Sequence, residues 1–390
     1  MAFELHNEKN KGVIGALLKR VYGSLAENLI ELLKKPPSRL YARVNTIKAT
    51  RSEVLEALRK DGIEAYADEN IPDAVYFEVK GPYDVECPGE KRIVVDVRTA
   101  VSLMLGADLY RPGILKAPKF DRSEYLLAVT SRGTVVSCIK TVVSSETMQS
   151  LTRGVVGINV SSPYKAPKLA ESKAYLKGLI YPQSAPSIIT SHVLKPKTGM
   201  LIVDMNAAPG GKTGHIVQLV GGKALIVAFD RSEKKVSVLQ NTLSKLGLNI
   251  SVLAVPADSR FAHIDFALAS KADRVLIDPP CSNLGVRPLL DYDRSLNDVL
   301  SLSNYQKHFL KAARSMLKKG GILVYSTCTL TLDENEENVV YAVEELGFSP
   351  YEPPEQIPYA EKVSYKGIVG YRFSPLKNDM PGYFITALTL

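Results

Sequence analysis

From residue 178 to the C-terminus, short continuous apolar runs alternate with stretches whose apolar residues recur at helical spacing. The runs are LIVDM (201–205), ALIVAFD (224–230), SVLAVPAD (251–258), RVLIDPP (274–280), GILVYSTC (321–328) and YFITAL (383–388). Strands apolar on both faces, with helices between them, predict a mostly parallel, doubly wound α/β sheet of Rossmann-like type. The first part of the chain reads differently. VIGALLKRVYGSLAENLIELLK (13–34) predicts one amphipathic helix ending at Pro36-Pro37, LYARVNTIKA a strand and SEVLEALRKDG a helix, an α+β unit closing near Gly81-Pro82. Between the two lie KRIVVDVRTAVSLMLGADLYRPGI, YLLAVT and TVVSCIKTVV, with turn residues and little helix after Leu105, a β-rich module. The expected boundaries are 1–90, 91–168 and 169–390.

Composition narrows the setting. The chain has 390 residues, 45% of them hydrophobic, enough for several cores. No uncharged apolar run approaches the roughly 18 to 20 residues of a membrane helix, and no basic-then-apolar leader opens the chain. Four cysteines without a CxxC pair argue against a disulfide framework or a zinc ribbon. A soluble, cytoplasmic, monomeric protein without a bound metal is expected, with Cys87 and Cys138 as small buried hydrophobes. The net charge of +8 favours polyanionic partners, though a solvated basic surface gives the same number. LLKKPPSRLYARVN, LYRPGILKAPK and SSPYKAPKLAESKAYLKG interleave basic residues with tyrosine, as RNA backbone neutralisation and base stacking require. Ordinary solvated linkers have the same composition.

The chemistry begins at DMNAAPGGKTGH, which follows the first strand of the sheet and opens a helix, the place where a doubly wound sheet binds its nucleotide. Asn206 stands where a Walker A loop needs glycine, which disfavours an ATPase, and the absence of GxGxxG disfavours a dinucleotide oxidoreductase. Asp204, Asp230, Asp258 and Asp278 each end one of the first four strands. Such a series suits an adenosine cofactor carrying an amino-acid ammonium, a description that S-adenosylmethionine fits.

DPPCSNLGVRP and YSTCT each set a cysteine after a strand. Amino-methyltransferases place an aromatic residue after Pro-Pro at the fourth strand; here it is Cys281. Methylating carbon 5 of a pyrimidine demands a thiolate that adds at C6. Cys328 follows the fifth strand, which neighbours the fourth, so both thiols are expected to face one base, with Lys212 helping thiolate formation. Local sequence leaves the nucleophile open and by itself favours Cys281 in its Pro-Pro frame.

DMNAAPGGKT, DPPCSNLGVRP, YSTCTL followed by EN, and RVNT (43–46) resemble four motifs of the Sun-type RNA cytosine-5 methyltransferases. The resemblance implies a Rossmann-like methyltransferase domain using S-adenosylmethionine. It makes Cys328 the nucleophile, gives Cys281 the release of product, and sets Asp278 and Lys212 at the target base. It further implies cofactor contacts from Asn206, Ala207, Ala208, Pro209, Gly210, Gly211, Lys212, Asp230, Arg231, Asp258 and Asp278. GADLYRPGI resembles the signature of a PUA domain, a small RNA-binding β-barrel, inserted after an N-terminal RRM-like α+β domain. That layout is the one of subgroup six of the family, whose substrate is tRNA: the PUA domain holds the CCA end and the methyl goes to acceptor-stem cytosine 72. Arg43, Asn45, Tyr110, Arg111 and Arg287 are the expected RNA contacts. Ribosomal RNA, another tRNA position, or a non-catalytic RNA-binding factor are the alternatives. YRFSPLKNDMPGYF departs from the family pattern, lacking its histidine and carrying Tyr383 for the first phenylalanine.

Overall fold

The computed structural model describes residues 8–390, with side chains from residue 12 onward. The N-terminal helical stretch is interrupted: helices Glu8–Tyr22 and Ala26–Leu33 flank a short turn at Gly23–Leu25. Gly23, at φ +56, supplies the left-handed residue that breaks the run. This hairpin does not pack on the N-terminal sheet. Ile14, Leu17, Leu18, Leu29 and Leu33 bury against Leu284, Tyr292, Val299 and Leu330, so it covers the loops that carry both motif cysteines. Arg20 adds an ion pair to Asp333 at 2.6 Å.

The N-terminal sheet is antiparallel, in the order Ile180–Pro182, Arg39–Val44, Ala74–Glu78, Tyr66–Ala67. Helix Arg51–Lys60 covers it, started by a capping box between Thr50 and Glu53. The boundary expected at 169 therefore shifts. Strand Ile180–Pro182 pairs with Ala42–Val44, so the chain completes this sheet before entering the doubly wound unit. A three-residue strand carries too little pattern to be read before its partner is known.

The β-rich module is a six-stranded sheet in the order Leu109–Tyr110, Val155–Ser161, Val135–Thr141, Tyr125–Val129, Arg92–Val95, Ile114–Lys116. Helix Val97–Met104, capped by Asp96, packs Ala100, Leu103 and Met104 into its core. Here one expectation fails: Cys87 and Cys138 are not free hydrophobes but a disulfide. They lie 51 residues apart, and the segment carrying Cys87 reaches Cys138 by running beside residues 161–165, where Tyr83 N–H donates to the Pro163 carbonyl and Glu86 N–H to Ser161 Oγ, the residue paired with Cys138.

The C-terminal sheet runs Val252–Pro256, Leu225–Asp230, Leu201–Asp204, Ala272–Ile277, Leu317–Thr327, Tyr383–Thr389, Ile368–Phe373, Glu361–Tyr365. The first five strands are parallel and the last three antiparallel. Separate apolar cores cover its two faces, as the continuous apolar runs require. The hairpin Glu361–Phe373 escapes the sequence reading because charged residues interrupt its alternation at an exposed sheet edge. Among the described residues no helix is long and apolar enough to cross a membrane.

Candidate active site

Strand order creates the site. Strands Ala272–Ile277 and Leu317–Thr327 are parallel neighbours, so the loops leaving their carboxyl ends meet although they are far apart in sequence. Cys281 Sγ and Cys328 Sγ stand 3.3 Å apart. Cys281 is buried and Cys328 half-buried. The hydrogen bond with Cys328, and then burial, push the Cys281 thiol well above its usual range.

A buried carboxylate locks these loops together. Glu334 accepts from the Ser282 backbone at 2.9 Å, Ser282 Oγ at 2.5 Å, Gln306 Nε2 at 3.0 Å and Thr331 Oγ1 at 2.9 Å. A fully buried carboxylate survives only with such a set of donors. Gly285 N–H, from the first cysteine loop, also donates to the Cys328 carbonyl at 3.0 Å. The glutamate after the second cysteine motif was visible in the sequence; its work as a brace was not.

Asp278 faces the same space. Its Oδ1 accepts from Ser326 Oγ at 3.0 Å and Tyr383 OH at 3.2 Å, and its Oδ2 pairs with Lys212. Burial opposes the charge on Lys212, but Asp278 and Tyr383 outweigh it and hold the ammonium above its usual value. Burial likewise keeps Tyr383 protonated, so it remains a donor. Lys212 was expected to aid the thiol; its ion pair is with Asp278 instead. Tyr383 and Ser326 were not singled out as site residues, yet Tyr383 is the position where the sequence departs from the motif pattern.

The glycine loop forms the next wall. Gly210, at φ +109, turns the chain so that helix Gly211–Leu219 begins with free N–H groups. Gly211 is required for space, since a Cβ there would lie 2.9 Å from the Tyr181 ring. Beside the loop opens a cavity of about 200 Å³ lined by Tyr181, Gln183, Ser184, Ser187, Asp204, Asn206, Ala207, Ala208, Pro209, Gly211, Lys212 and Asp278. Burial pushes the Asp204 carboxyl up to about 6, against the hydrogen bond from Thr213 at 2.7 Å.

Asp230 closes the neighbouring strand with its oxygens on Ala208 N–H at 3.3 Å, Arg231 N–H at 2.8 Å and Lys235 Nζ at 3.1 Å. The Arg231 side chain is exposed. Asp258 is engaged by Arg260 at 2.5 Å, which holds its carboxyl below the usual range. Asp230, Arg231 and Asp258 do not line the 200 Å³ cavity.

Three of the expected RNA contacts are instead internal. Arg43 is 1% exposed; it bonds Gln183 at 3.0 Å and the Gly211 carbonyl, bracing the cofactor loop from the N-terminal sheet. Asn45, equally buried, donates to the carbonyls of Gly178 at 3.0 Å and Leu246 at 2.8 Å. Arg287 binds the carbonyls of Leu32 and Pro36, both at 3.2 Å, and Asp379 at 2.6 Å, tying the helical hairpin to the catalytic unit. A motif arginine reads alike in sequence whether it meets phosphate or buried carbonyls. Tyr110 is exposed, and Arg111 is half-buried with its Nε on the Met148 carbonyl at 3.0 Å.

Comparison with known proteins identifies the family. Residues 191–389 match the family described as 16S rRNA methyltransferase RsmB/F, and residues 16–86 match its ferredoxin-like domain. The tRNA (cytosine(72)-C(5))-methyltransferase of Pyrococcus horikoshii is 35% identical over 95% of this chain and 94% of its own length. The human tRNA (cytosine(72)-C(5))-methyltransferase NSUN6 is 30% identical over 88% of this chain and 81% of its own. The crystal structure of NSun6 from Pyrococcus horikoshii with SFG superimposes with a TM-score of 0.88 at 34% identity, covering 97% of each chain. With its two paired thiols, its glycine loop and these relatives along nearly its whole length, the chain belongs to the Sun-type RNA cytosine-5 methyltransferases, an S-adenosylmethionine-dependent family.

Proposed function

We propose that this protein methylates C5 of cytosine 72 in the tRNA acceptor stem. The observation that carries the proposal is the pair of thiols 3.3 Å apart beside the Asp278–Lys212 pair. A C5 methyltransferase must add a nucleophile at C6 and later eliminate it, and two sulfurs allow separate groups for the two steps. Relatives of near-full-length coverage named for cytosine 72 support the position.

The residues fit S-adenosylmethionine. Asp204 is a buried acidic group beside the glycine loop, the helix N-terminus offers free N–H donors, and Asp230 closes the adjoining strand. When bound, the cofactor supplies an electrophilic methyl group. The protein does the rest. The Cys328 thiolate forms a bond to C6, and the ring electrons displaced make C5 nucleophilic. Asp278 and Lys212 face the base edge and fix its orientation. Once C5 carries the methyl group, the Cys281 sulfur, as thiolate, takes the C5 proton, the electrons of that C–H bond restore the C5–C6 double bond, and the Cys328–C6 bond breaks with its electron pair returning to the Cys328 sulfur. Cys281 serves this release. The β-rich module acts as the PUA domain and receives the CCA end, presenting Tyr110 for stacking. Terminal pairs resist opening least, which suits a target at the end of a stem.

The test has two arms. On denaturing gels with RNA and cofactor, Cys281→Ala is expected to trap a covalent adduct and Cys328→Ala to form none; the reverse pattern overturns the assignment. Bisulfite mapping of tRNA after reaction is expected to find the methyl at cytosine 72 and its loss when the CCA tail is removed. Activity indifferent to the tail, or methylation confined to rRNA, sinks the substrate reading.

A further inference from the structure

Asn283 has an exposed side chain, yet its single carboxamide oxygen accepts hydrogen bonds from both thiols, Cys328 Sγ at 3.0 Å and Cys281 Sγ at 3.4 Å. With the sulfurs 3.3 Å from each other, the three atoms form a compact triangle. The backbone at Asn283 is left-handed, at φ +60, a region that asparagine enters more readily than most residues with a Cβ. Neighbouring bonds hold it there. Glu334 fixes the Ser282 N–H at 2.9 Å, and the Asn283 carbonyl accepts from Val286 N–H at 3.2 Å. The left-handed turn, held by its surroundings, sets the carboxamide where its oxygen meets both sulfurs.

We propose that Asn283 is a positioning residue for both thiols, its carboxamide oxygen fixing the direction of each sulfur relative to the target base. The left-handed turn is what lets one side chain reach both. A loop residue with ordinary φ would direct its Cβ elsewhere. An oxygen acceptor also favours thiol over thiolate. The other edge of the amide carries N–H donors that suit a charged sulfur, so the same group can serve both states.

Glycine is at ease at φ +60, so Asn283→Gly keeps the fold while deleting the carboxamide. The role of Asn283 rests on both thiols serving the proposed reaction, whichever of them is the nucleophile. In the full-length protein without RNA, iodoacetamide labelling at fixed pH, read by peptide mass spectrometry, reports each cysteine separately. Asn283→Gly is expected to label Cys328 at least about 3-fold faster, having lost the acceptor. Asn283→Asp is expected to label about 10-fold slower, because a carboxylate beside sulfur opposes thiolate formation. With tRNA, Asn283→Gly is expected to lose about 10-fold in kcat with the KM for S-adenosylmethionine unchanged. Labelling of both variants indistinguishable from the parent overturns the proposal. A covalent adduct on Cys281 instead of Cys328 would remove the nucleophile assignment, while the labelling rates would still decide the role of Asn283.

Discussion

The molecule holds two cysteine pairs of similar sequence separation and opposite fate. Cys87 and Cys138, 51 residues apart, are joined in the β-rich module. Cys281 and Cys328, 47 residues apart, stand free with their sulfurs 3.3 Å from each other. Around the first pair the partners are strands and a connecting segment, and Cys138 is fully buried. Around the second lie Asn283, Asp278, Lys212, Tyr383 and Glu334, each with a named partner. A cysteine's role is decided by what the fold puts beside it, neither by spacing nor by the apolar run that precedes it.

The hardest way to break the comparison is to remove the nucleophile. Cys328→Ala is expected to lower kcat by at least about 10³-fold with the fold intact by circular dichroism, as loss of a covalent nucleophile does. The corresponding change at Cys138 should leave kcat at moderate temperature unaltered. Next comes Asp278→Asn, expected to cost about 10² to 10³-fold in kcat, since it removes the charge that holds Lys212 while keeping the size of the side chain. Single-turnover methyl transfer measures it.

For the structural pair the expected loss is in stability. Replacing Cys87 and Cys138 by serine should cost about 2 to 4 kcal/mol, read as a lower Tm in calorimetry, with activity on tRNA retained below the transition. A variant that loses activity without losing stability would make this pair functional after all.

The smallest effect concerns the electrostatic load near the thiols. Burial holds the folded Asp204 carboxyl at about 6, above its ordinary 3.8. Between those values the folded chain binds more protons than the unfolded one, so this group favours folding at low pH and its contribution is lost as pH rises through about 6. Asp204→Asn is therefore expected to raise the cofactor-free Tm at pH 7 to 8 by the equivalent of about 1 to 3 kcal/mol and to flatten its dependence between pH 4 and 6. Cofactor binding should weaken in the same variant, checked by calorimetric titration.

Much of the catalytic unit was legible because its strands are apolar on both faces and nothing else in the chain reads that way. The six runs named from sequence are all strands of one sheet, and their order predicts the meeting of Cys281 and Cys328. The hairpin at Glu361–Phe373 and the strand Ile180–Pro182 were illegible. One is a charged edge, the other too short to carry a period. The candidate site divides in the same way. Residues whose chemistry is their identity, the thiols, Asp278 and Lys212, could be named. Arg43, Asn45 and Arg287 were misread because a cation or amide in a motif does not announce whether its partner is RNA or a buried carbonyl.

By itself, then, the sequence determined the periodicities, the glycine loop and the presence of two thiols at strand ends, all properties of local order along the chain. Only the tertiary structure decided that Asn283 meets both sulfurs, that Tyr383 donates to Asp278, and that Cys87 finds Cys138. All of these but the Asn283–Cys281 bond join segments remote in sequence. Their geometry depends on strand register, loop conformation and packing across several elements, which no local pattern encodes.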